Sequence, residues 1–559
     1  MKKVLLGNEA IVEGALEAGV QFISTYPGTP ASEIGDIFYK KFKRQNSKNR
    51  DNLYFEYSTN EKTALEAAIG ASFSGLKTLV AMKNFGLNVC LDALGPFLYT
   101  GSKGPIVIIG ADDPNCHSSA QWEENIRAIS YLTHIPTLEP SDPQECKDFV
   151  KFAFQLSEKF RIPVLIRTTT RVAHQSMAVE INDKLQITNS KKSLEGEFIK
   201  NPYQFATMPP RVLEMKKELL EKIAKIQKFS EKSSINKLTT KNSKLKVGII
   251  TSGVSYLYVK ESLKELKLDL PILKLGFFYP LPENKIKNFI KNLAKVLIVE
   301  ELDPYLEKEI KGLAKDSNPK LQIFGKNLFP EVGELNQDLV SFAITKITNK
   351  NLGIENYKLP VNLNFPLKNF DRKISRRSPA FCPGCPYWSI FGAIKQAVKP
   401  EKVVFGGDIG CYMLAGFPPI SLQDYLLCMG SSIGIAHGIS KSSDAKVIAF
   451  IGDATFFHSG IPALINTIFN KSNPLIIVMD NRTTAMTGQQ PDPGAPDKQT
   501  GIKIENIIKA CGVKYLKIID PVKNFDGFIK TVKDFIKKDE VSVIIARHPC
   551  AQLKLKEKK

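Results

Sequence analysis

Apolar, strand-like segments alternate with helix-like segments over the last third of the chain. The predicted strands lie at residues 402–405, 446–451, 475–479, 515–519 and 541–546. Strands that are separated by helices pair in parallel, and helices then cover both faces of the sheet. Residues 379–559 are therefore predicted to form a doubly wound α/β domain, whose ligands bind beyond the carboxyl ends of the strands.

The same alternation occurs twice earlier in the chain. Residues 1–185 and 245–350 are predicted to form two further α/β domains, of which the second is smaller. Polar, Lys-rich stretches separate them, namely a connector at 186–244 with one amphipathic helix and a linker at 351–378. A chain of 559 residues is long enough for three domains. We expect an α/β protein with three doubly wound, mostly parallel sheet domains.

The composition excludes several classes of protein. Hydrophobic residues make up 43% and charged residues 24%, as is typical of globular domains, and no apolar run reaches about 18 residues. The net charge is +20, but 65 of the basic residues are Lys and only 12 are Arg. Nucleic-acid readers favour Arg, so this charge predicts a solvated surface. We expect a soluble cytoplasmic protein that binds neither nucleic acid nor membrane.

Two polar side chains follow neighbouring strands of the last domain. Asp453 comes after the strand at 446–451, and Asn481 follows the strand at 475–479, so that Gly452 to Asn481 spans 30 residues. Oxygen ligands at adjacent strand ends suit Mg²⁺ held by few protein groups and a diphosphate, with the Thr483 carbonyl as a further ligand. The spacing resembles the thiamine-diphosphate signature. The alternative is that both are ordinary turn residues.

A thiamine enzyme also needs a carboxylate beside N1′ of the aminopyrimidine. In the first domain, a strand at 54–57 leads into Glu61 and a helix rich in small residues. Thiamine enzymes present their activating glutamate at this kind of junction, which makes Glu61 the predicted residue. Glu56 and Glu66 are the next candidates, and the alternative for Glu61 is a first-turn residue favoured by the helix dipole.

Seven motifs, in order along the chain, resemble the thiamine-binding large subunits of the indolepyruvate:ferredoxin oxidoreductases. The motifs are GNEA at 7–10, YPGTP at 26–30, MKN at 82–84, ADDP at 111–114, CPGCP at 382–386, GDIGC at 407–411 and GDATFFH at 452–458. The resemblance implies oxidative decarboxylation of a 2-oxoacid, such as indolepyruvate, with CoA, giving acyl-CoA, CO₂ and reduced ferredoxin. It also implies a small β subunit and a hetero-oligomer.

The resemblance further assigns a role to each α/β domain. Residues 1–185 would be the pyrimidine-binding domain, 245–350 a domain like the transketolase C-terminal domain, and 379–559 the domain that binds diphosphate and Mg²⁺. Large subunits of this branch commonly end in a ferredoxin-like extension with Cys-rich runs. This sequence stops at Lys559 without one, which leaves the route of electron exit open.

Nine Cys in a cytosolic chain indicate a metal, a cluster or buried thiols rather than disulfides. In related enzymes, cysteines placed like Cys382, Cys385, Cys411 and Cys550 hold one [4Fe–4S] cluster, which needs four thiolates. Zinc on the same residues and purely structural thiols are the alternatives. Cys428 is an alternative fourth ligand.

The remaining expectations concern the residues around the cofactor and the substrate. His458 is predicted to contact a substrate oxyanion or carboxylate, and Thr29 resembles the family position whose hydroxyl meets the substrate carboxylate. The opening of a helix at Gly430 and Ser431 suits a diphosphate. The predicted cofactor-binding residues are Gly452, Asp453, Ala454, Thr455, Asn481, Thr483, Gly430, Ser431 and Gly410.

Two other functions fit part of this pattern. A non-oxidative decarboxylase would use the same thiamine site without a cluster and release an aldehyde. An inactive interaction scaffold is disfavoured, because the elements expected to bind magnesium, the activating glutamate and the phosphates are all present in the sequence.

Overall fold

A computed structural model describes residues 1–44, 53–182, 196–239, 245–348, 379–495 and 501–556. The chain divides into two compact units, Met1–Phe365 and Pro366–Lys559. The predicted linker at 351–378 and parts of the predicted connector lie outside the described residues.

The first unit begins with alternating strands and helices. They are β1 Lys2–Leu6, α1 Gly7–Glu17, β2 Phe22–Thr25, α2 Ser32–Arg44, β3 Tyr54–Tyr57, α3 Glu61–Phe73, β4 Thr78–Lys83, α4 Asn84–Thr100, β5 Ile106–Asp112, α5 Arg127–Thr133, β6 Thr137–Leu138, α6 Pro143–Phe160, β7 Val164–Thr169, α7 Thr170–His174 and β8 Ser176–Glu180. Strands β4, β5 and β7 are buried along their whole length, as parallel strands covered on both faces must be.

Six strands of this region pair in parallel in the order β6-β7-β5-β4-β2-β3. Their carboxyl ends therefore lie at one edge of the sheet, followed by the segments that begin at Tyr26, Ser58, Asn84 and Asp113. Strands β1 and β8 form a separate antiparallel pair. Helices α1 and α6 pack together over the hydrophobic core, which contains Ile11, Ala15, Phe149 and Val150.

The rest of the first unit consists of a helical connector and a second sheet. The elements are α8 Pro202–Phe205, α9 Arg211–Lys232, β9 Lys237–Thr239, β10 Val247–Ser252, α10 Ser255–Glu265, β11 Ile272–Leu275, β12 Phe277–Tyr279, α11 Glu283–Ile290, β13 Lys295–Val299, α12 Tyr305–Ser317, β14 Gln322–Phe324 and α13 Gln337–Thr348. The second sheet has the order β14-β13-β10-β11-β9 and is parallel except for β9. Strand β12 instead pairs antiparallel with β6 and extends the first sheet.

The second unit follows the same architecture. Its elements are α14 Tyr387–Ala397, β15 Val403–Gly406, α15 Ser431–Ser442, β16 Lys446–Gly452, α16 Asp453–Thr455, α17 Ile461–Phe469, β17 Leu475–Asp480, α18 Ile504–Ala510, β18 Tyr515–Ile519, α19 Phe525–Phe535, β19 Ser542–Arg547 and α20 Ala551–Lys556. A π-helical turn, Phe456–Gly460, joins α16 to α17. All five strands are parallel, in the order β15-β16-β17-β19-β18.

The fold class agrees with the sequence prediction. The sheets are mostly parallel and alternate with helices, and apolar side chains fill both faces of the central strands. Burial of this apolar surface is the main stabilising contribution, at about 25 cal/mol per Å². Within the described part of the chain, every helix is too short or too polar to cross a membrane.

Candidate functional site

Asp453 and Asn481 lie at the ends of neighbouring strands, as the sequence predicted. Strands β16 and β17 pair in parallel with Gly452 opposite Met479. The carboxylate of Asp453 accepts backbone N–H groups from Ala454 at 2.9 Å and Arg482 at 2.8 Å. The amide of Asn481 donates to the Tyr387 hydroxyl at 2.7 Å and accepts the Thr483 N–H at 3.1 Å.

Acidic side chains concentrate at this edge of the sheet. Asp453, Asp480 and Asp492 are all buried, with 4%, 1% and 7% of their surface exposed. Arg547 donates to Asp480 at 2.6 Å, whereas the two oxygens of Asp453 accept only backbone N–H groups. Burial, followed by the charges of Asp492 and Asp480, raises the pKa of Asp453 well above its usual value. A bound cation would relieve this repulsion, so the oxygen-rich set fits Mg²⁺.

A fourth acidic residue, Asp408, caps the helix that was predicted to receive the diphosphate. Its fully buried carboxylate accepts the N–H groups of Gly430 at 2.7 Å and Ser432 at 2.9 Å, at the start of α15. The Ser431 N–H donates to the Cys428 carbonyl at 3.1 Å. These three N–H groups are thus engaged within the chain. A diphosphate contact at Gly430 or Ser431 would have to use other groups.

Glycines bring the segment that follows β15 against the end of β16. Gly410 has a φ of 154°, and a Cβ atom there would lie 2.5 Å from the Tyr412 ring. A Cβ atom on Gly452 would lie 3.0 Å from the same ring. The hydroxyls of Tyr412 and Thr455 both donate to the Ile409 carbonyl, at 2.9 and 3.1 Å. This packing places Cys411 beside the strand end that carries Asp453.

The four predicted cluster cysteines lie in one neighbourhood of the second unit. The turn at Gly384, between Cys382 and Cys385, approaches Ala551, whose Cβ lies 3.8 Å from where a Gly384 Cβ would stand. Cys550 donates its N–H to the Asn481 carbonyl at 3.0 Å. Burial, and then the neighbouring Cys411, Cys550 and Cys382, raises the pKa of Cys385 to about 12. Burial, and then Cys550 and Cys382, raises the pKa of Cys411 to about 11.

The donor set fits a thiolate-bound group. All nine cysteines are free, and each of them lies in the described ranges. Among the described residues, no three His, Cys, Asp or Glu side chains converge closely enough to bind one metal ion. Cys382, Cys411 and Cys550 lie near enough to Cys385 to raise the pKa of its thiol, and sulfur is the ligand of cluster and zinc sites rather than of Mg²⁺.

Glu61 lies at the predicted position, at the first residue of α3. Asn60 caps this helix by accepting the Thr63 N–H at 2.8 Å. The Glu61 side chain lies over Gly86 in α4, where a Cβ atom would come within 2.5 Å of the Glu61 Cγ. Glu61 is 8% exposed, whereas Glu66 lies on the exposed face of α3, and Glu56 accepts the hydroxyls of Tyr54 and Ser58. Glu61 is thus the most buried of the three candidates.

Thr29 lies at the same edge of the first sheet, after β2. Its carbonyl accepts the Ser118 hydroxyl at 3.1 Å, and the buried Lys83 at the end of β4 donates to the Ser118 carbonyl at 3.1 Å. Asp113, after β5, accepts two hydrogen bonds from Ser118 and one from Ser119. Thr29 therefore lies in an ordered polar cluster that contains a buried cation.

His458 lies in the π-helical turn that follows Asp453. It is 7% exposed, and its Nδ1 atom hydrogen bonds the Ser459 hydroxyl. Gly430 packs against Ser459, since a Cβ atom there would come within 2.4 Å of the Ser459 Cβ. π-Helical turns occur frequently at functional sites. The π-helical turn that contains His458 therefore packs against the start of α15.

Two residues of this site had no role in the sequence analysis. Asp408 is part of the quoted GDIGC motif, but its three backbone contacts cannot be read from that motif. Asp492 lies in a Pro- and Gly-rich segment. Its acidic side chain is the one feature of that segment that could have indicated a metal site.

Three family models match successive parts of the chain. Residues 13–234 match pyruvate flavodoxin/ferredoxin oxidoreductase, thiamine diP-binding, and residues 237–356 match the indolepyruvate oxidoreductase domain. Residues 408–546 match thiamine pyrophosphate enzyme, C-terminal TPP binding domain. Thiamine diphosphate is therefore the cofactor whose binding domains this chain contains.

Curated relatives match nearly the whole chain. It is 41% identical over 561 residues to indolepyruvate oxidoreductase subunit IorA of Methanothermobacter marburgensis, which covers 98% of this chain and 86% of the relative. The IorA subunit of Pyrococcus horikoshii is 40% identical over 572 residues, with 98% and 86% covered. A solved 2-oxoglutarate:ferredoxin oxidoreductase from Magnetococcus marinus superposes with a TM-score of 0.48 at 15% identity, over 62% of this chain and 65% of that chain.

Proposed function

Because the chain belongs to the family of thiamine-diphosphate-binding IorA subunits of indolepyruvate oxidoreductases, we propose that its substrate is an arylpyruvate such as indolepyruvate. The class of reaction is oxidative decarboxylation of a 2-oxoacid. We further propose that CoA accepts the acyl group and that ferredoxin accepts the electrons. The observation that carries the proposal is the 41% identity that extends over 98% of the chain.

The proposed reaction balances as a two-electron oxidation. The 2-oxoacid and CoA give acyl-CoA, CO₂, one proton and two electrons, and each of two ferredoxins takes one electron. When bound, thiamine diphosphate supplies the carbon nucleophile and the electron sink, and an iron–sulfur cluster supplies a one-electron acceptor. The bond that breaks joins the carboxylate to the keto carbon, and the bond that forms joins that carbon to the CoA sulfur.

The chain's own residues would bind the cofactor and position the reacting groups. The side chains of Asp453 and Asn481 and the carbonyl of Thr483 would hold Mg²⁺ against the diphosphate. Asp453 is buried and its oxygens accept backbone N–H groups rather than a Lys or Arg side chain among the described residues, which supports this role. The Glu61 carboxylate would form a charge-assisted hydrogen bond with N1′ of the aminopyrimidine, and its burial strengthens such a bond.

Two residues are proposed to face the substrate. The Thr29 hydroxyl would donate to the substrate carboxylate, with Lys83 adding positive charge to the same cluster. His458 would contact the oxygen on which negative charge develops. The other proposed cofactor neighbours are Gly452, Ala454, Thr455, Gly430, Ser431 and Gly410.

Cys382, Cys385, Cys411 and Cys550 are proposed to bind one [4Fe–4S] cluster. The support is the electrostatic proximity of these four thiols in the second unit. Cys550 is favoured over Cys428, because Cys550 is among the groups that raise the pKa values of Cys385 and Cys411. The cluster would pass electrons singly to ferredoxin.

The assembly is also a proposal. We expect a small β subunit and a hetero-oligomer, since the curated relatives are named as subunits. The division of labour is proposed to follow the sequence boundaries. Residues 1–185 would supply Glu61, and residues 379–559 would supply the diphosphate and cluster sites. Residues 245–350 would form a domain like the transketolase C-terminal domain.

Product analysis tests the proposed reaction. The full chain, purified anaerobically with any subunit that accompanies it, is incubated with thiamine diphosphate, Mg²⁺ and indolepyruvate, with and without CoA. We expect indoleacetyl-CoA, and more than one equivalent of CO₂ per chain, only when CoA and an electron acceptor such as viologen dye are both present. Phenylpyruvate and 2-oxoglutarate serve as matched substrates, of which the aromatic one should be preferred.

Two results would contradict the proposal. Release of indoleacetaldehyde without CoA or dye would establish a non-oxidative decarboxylase at the same thiamine site. Faster turnover of 2-oxoglutarate than of both arylpyruvates would overturn the proposed substrate class while leaving the reaction type intact.

A further inference from the structure

One carboxylate oxygen at the proposed magnesium site has no hydrogen-bond partner among the described residues. It is the Oδ2 atom of Asp492, which is completely buried within a side chain that is 7% exposed. A buried polar atom without a partner costs about 1–3 kcal/mol, and more when it is charged. A buried polar atom normally has a hydrogen-bond partner, and the described residues supply none for this oxygen.

The local backbone holds Asp492 in place through its other oxygen. The Oδ1 atom accepts the N–H groups of Gly494 at 2.7 Å and Ala495 at 3.1 Å, which fixes a tight turn. Upstream, the Thr483 hydroxyl and the Thr484 N–H both donate to the Gln490 carbonyl, at 3.1 and 3.0 Å. These contacts bring the chain back from the end of β17 and return Asp492 to the strand edge where Asp453 lies.

Electrostatics independently places Asp492 beside Asp453. After burial itself, the Asp492 charge is the largest contribution to the raised pKa of Asp453, ahead of Asp480 on the neighbouring strand end. Asp480 is neutralised by Arg547 at 2.6 Å. No described side chain donates a hydrogen bond to Asp453 or Asp492, and Arg482 is the one cation that lowers the pKa of Asp492. Within the described residues, the hydrogen bonds to these two carboxylates therefore come from backbone N–H groups.

The coordination chemistry of Mg²⁺ offers a hydrogen-bond partner for the Oδ2 atom of Asp492. The ion takes six oxygen ligands in octahedral geometry and usually retains water in addition to phosphate oxygens. Three protein oxygens, from Asp453, Asn481 and Thr483, leave three positions for diphosphate and water. A metal-bound water donates its hydrogens strongly, and nearby acceptors that receive them fix the metal and its ligands.

We propose that Asp492 Oδ2 accepts a hydrogen bond from a water molecule on the Mg²⁺ that Asp453, Asn481 and the Thr483 carbonyl hold. Asp492 is then a positioning residue, which acts on the metal through water and does not touch the substrate. The thiamine signature in this sequence contains Gly452, Asp453 and Asn481, so Asp492 is an addition to it. This inference rests on the proposed magnesium–diphosphate site.

The test compares Asp492→Asn with the unmodified protein. The amide keeps the Oδ1 acceptor that the turn requires and removes the charge. The full chain, with any subunit that accompanies it, is titrated with MgCl₂ at saturating thiamine diphosphate and followed by calorimetry. We expect the half-saturating Mg²⁺ concentration to rise about 10–100-fold. Asp526→Asn, an exposed carboxylate at the start of α19, is the matched control and should leave it unchanged.

A second readout separates this role from a structural one. In EDTA and without thiamine diphosphate, Asp492→Asn should melt at the same temperature as the unmodified protein or higher, because an unpaired buried charge is gone. The rise in melting temperature on adding Mg²⁺ and thiamine diphosphate should shrink. A structural residue would instead lower the melting temperature of the metal-free protein.

The outcomes are distinguishable. Unchanged Mg²⁺ dependence in Asp492→Asn, or a lower melting temperature of the metal-free variant, overturns the inference and leaves the proposed function standing. If the unmodified protein itself binds thiamine diphosphate equally well with and without Mg²⁺, the proposed magnesium site fails, and the inference fails with it.

Discussion

Glu61 occupies a position that only a glycine opposite it permits. Its side chain lies over Gly86 at the first turn of α4, and any larger residue there would collide with the Glu61 Cγ. The small residues of α3, such as Ala64 and Ala68, are fully buried and let that helix pack closely. Packing against α4 thus fixes the position of the Glu61 carboxylate. A group that must contact a single cofactor atom needs such a fixed position.

Glu61→Gln should bind thiamine diphosphate and lose the activation of its C2 proton. The amide retains the shape of the carboxylate but loses the charge-assisted hydrogen bond to N1′. We expect H/D exchange at C2, followed by NMR, to slow by about 100-fold or more. Glu66→Gln, on the exposed face of the same helix, is the control. Exchange at the unmodified rate in Glu61→Gln would transfer the role to Glu56 or Glu66.

Asp453→Ala should abolish tight binding of thiamine diphosphate without unfolding the protein. Asp453 contributes two backbone contacts and no core volume, and burial raises the pKa of its carboxyl well above the usual value. Calorimetric titration should give a dissociation constant at least about 100-fold higher, while the melting temperature of the metal-free protein does not fall. Equal affinity in the two proteins would remove the magnesium assignment.

Residue positions could be predicted from the sequence where a side chain follows a recognisable strand end. Asp453, Asn481 and Glu61 meet this condition, and the structure places each at the expected edge. Asp408 and Asp492 do not, because their roles depend on which distant groups face them. The carboxylate of Asp408 meets N–H groups 22 and 24 residues away, which no local pattern encodes.

Strand positions could be predicted because parallel strands buried on both faces are continuous apolar runs. Strand β18 begins and ends where the sequence indicated, and β16 and β17 each extend one residue further. The helix predicted at 457–470 starts earlier, at Asp453, and contains a π-helical turn. Strand β12 pairs with β6 of the first sheet. A three-residue apolar segment does not indicate which sheet it will join.

A buried ion network connects the two sheets of the first unit. Arg127, at the start of α5, is 2% exposed and donates two hydrogen bonds to Glu139, at 2.7 Å each, and one to Glu300 at 2.9 Å. Arg127→Met removes the cation from two buried carboxylates. We expect the free energy of unfolding to fall by about 3–5 kcal/mol.

Denaturant unfolding measures this loss. Lys514→Met, on the solvent-exposed pair with Glu540, is the control and should leave the unfolding midpoint nearly unchanged. If both variants shift the midpoint equally, the buried network does not stabilise the contact between the sheets.

The same region predicts a pH dependence of stability. Burial, opposed by Arg167 and reinforced by Glu334, raises the pKa of Glu301 from 4.5 to about 7. Folding therefore favours the protonated form, and this residue's contribution to stability decreases as the pH rises from 4.5 through 7. Between pH 5 and 8 the loss is up to about 3 kcal/mol.

Glu301→Gln should remove that dependence. The amide has no charge to bury and can still accept the Leu335 N–H. Thermal unfolding from pH 5 to pH 8 should show a flatter profile for the variant and a higher melting temperature than the unmodified protein at pH 8. A variant as pH-sensitive as the unmodified protein would show that Glu301 does not titrate in this range.

At the scale of the whole molecule, the family predicted from the motifs is confirmed by relatives that match 98% of the chain. The motifs are short, but they span both units, and the fold explains why distant segments belong together. Cys382, Cys411 and Cys550 are up to 168 residues apart in sequence, and the parallel sheet of the second unit brings their segments to one edge.

The choice among the cysteines is tested by metal content. Cys550→Ser should lose iron after anaerobic purification, whereas Cys428→Ser should retain it, since Cys428 is exposed and outside the group of four. Iron and sulfide analysis decides between them. Loss of iron from Cys428→Ser alone would correct the fourth ligand and keep the cluster.

The central claim is that electrons from a 2-oxoacid reach a cluster bound by this chain. Electron paramagnetic resonance of the anaerobically purified full chain, with any subunit that accompanies it, measures this directly when indolepyruvate is added. We expect about four iron and four sulfide per chain and the signal of a reduced cluster. The Cys411→Ser variant should lack this signal while still releasing one equivalent of CO₂. A preparation that contains zinc or no metal, yet converts arylpyruvates to aldehydes, would contradict it.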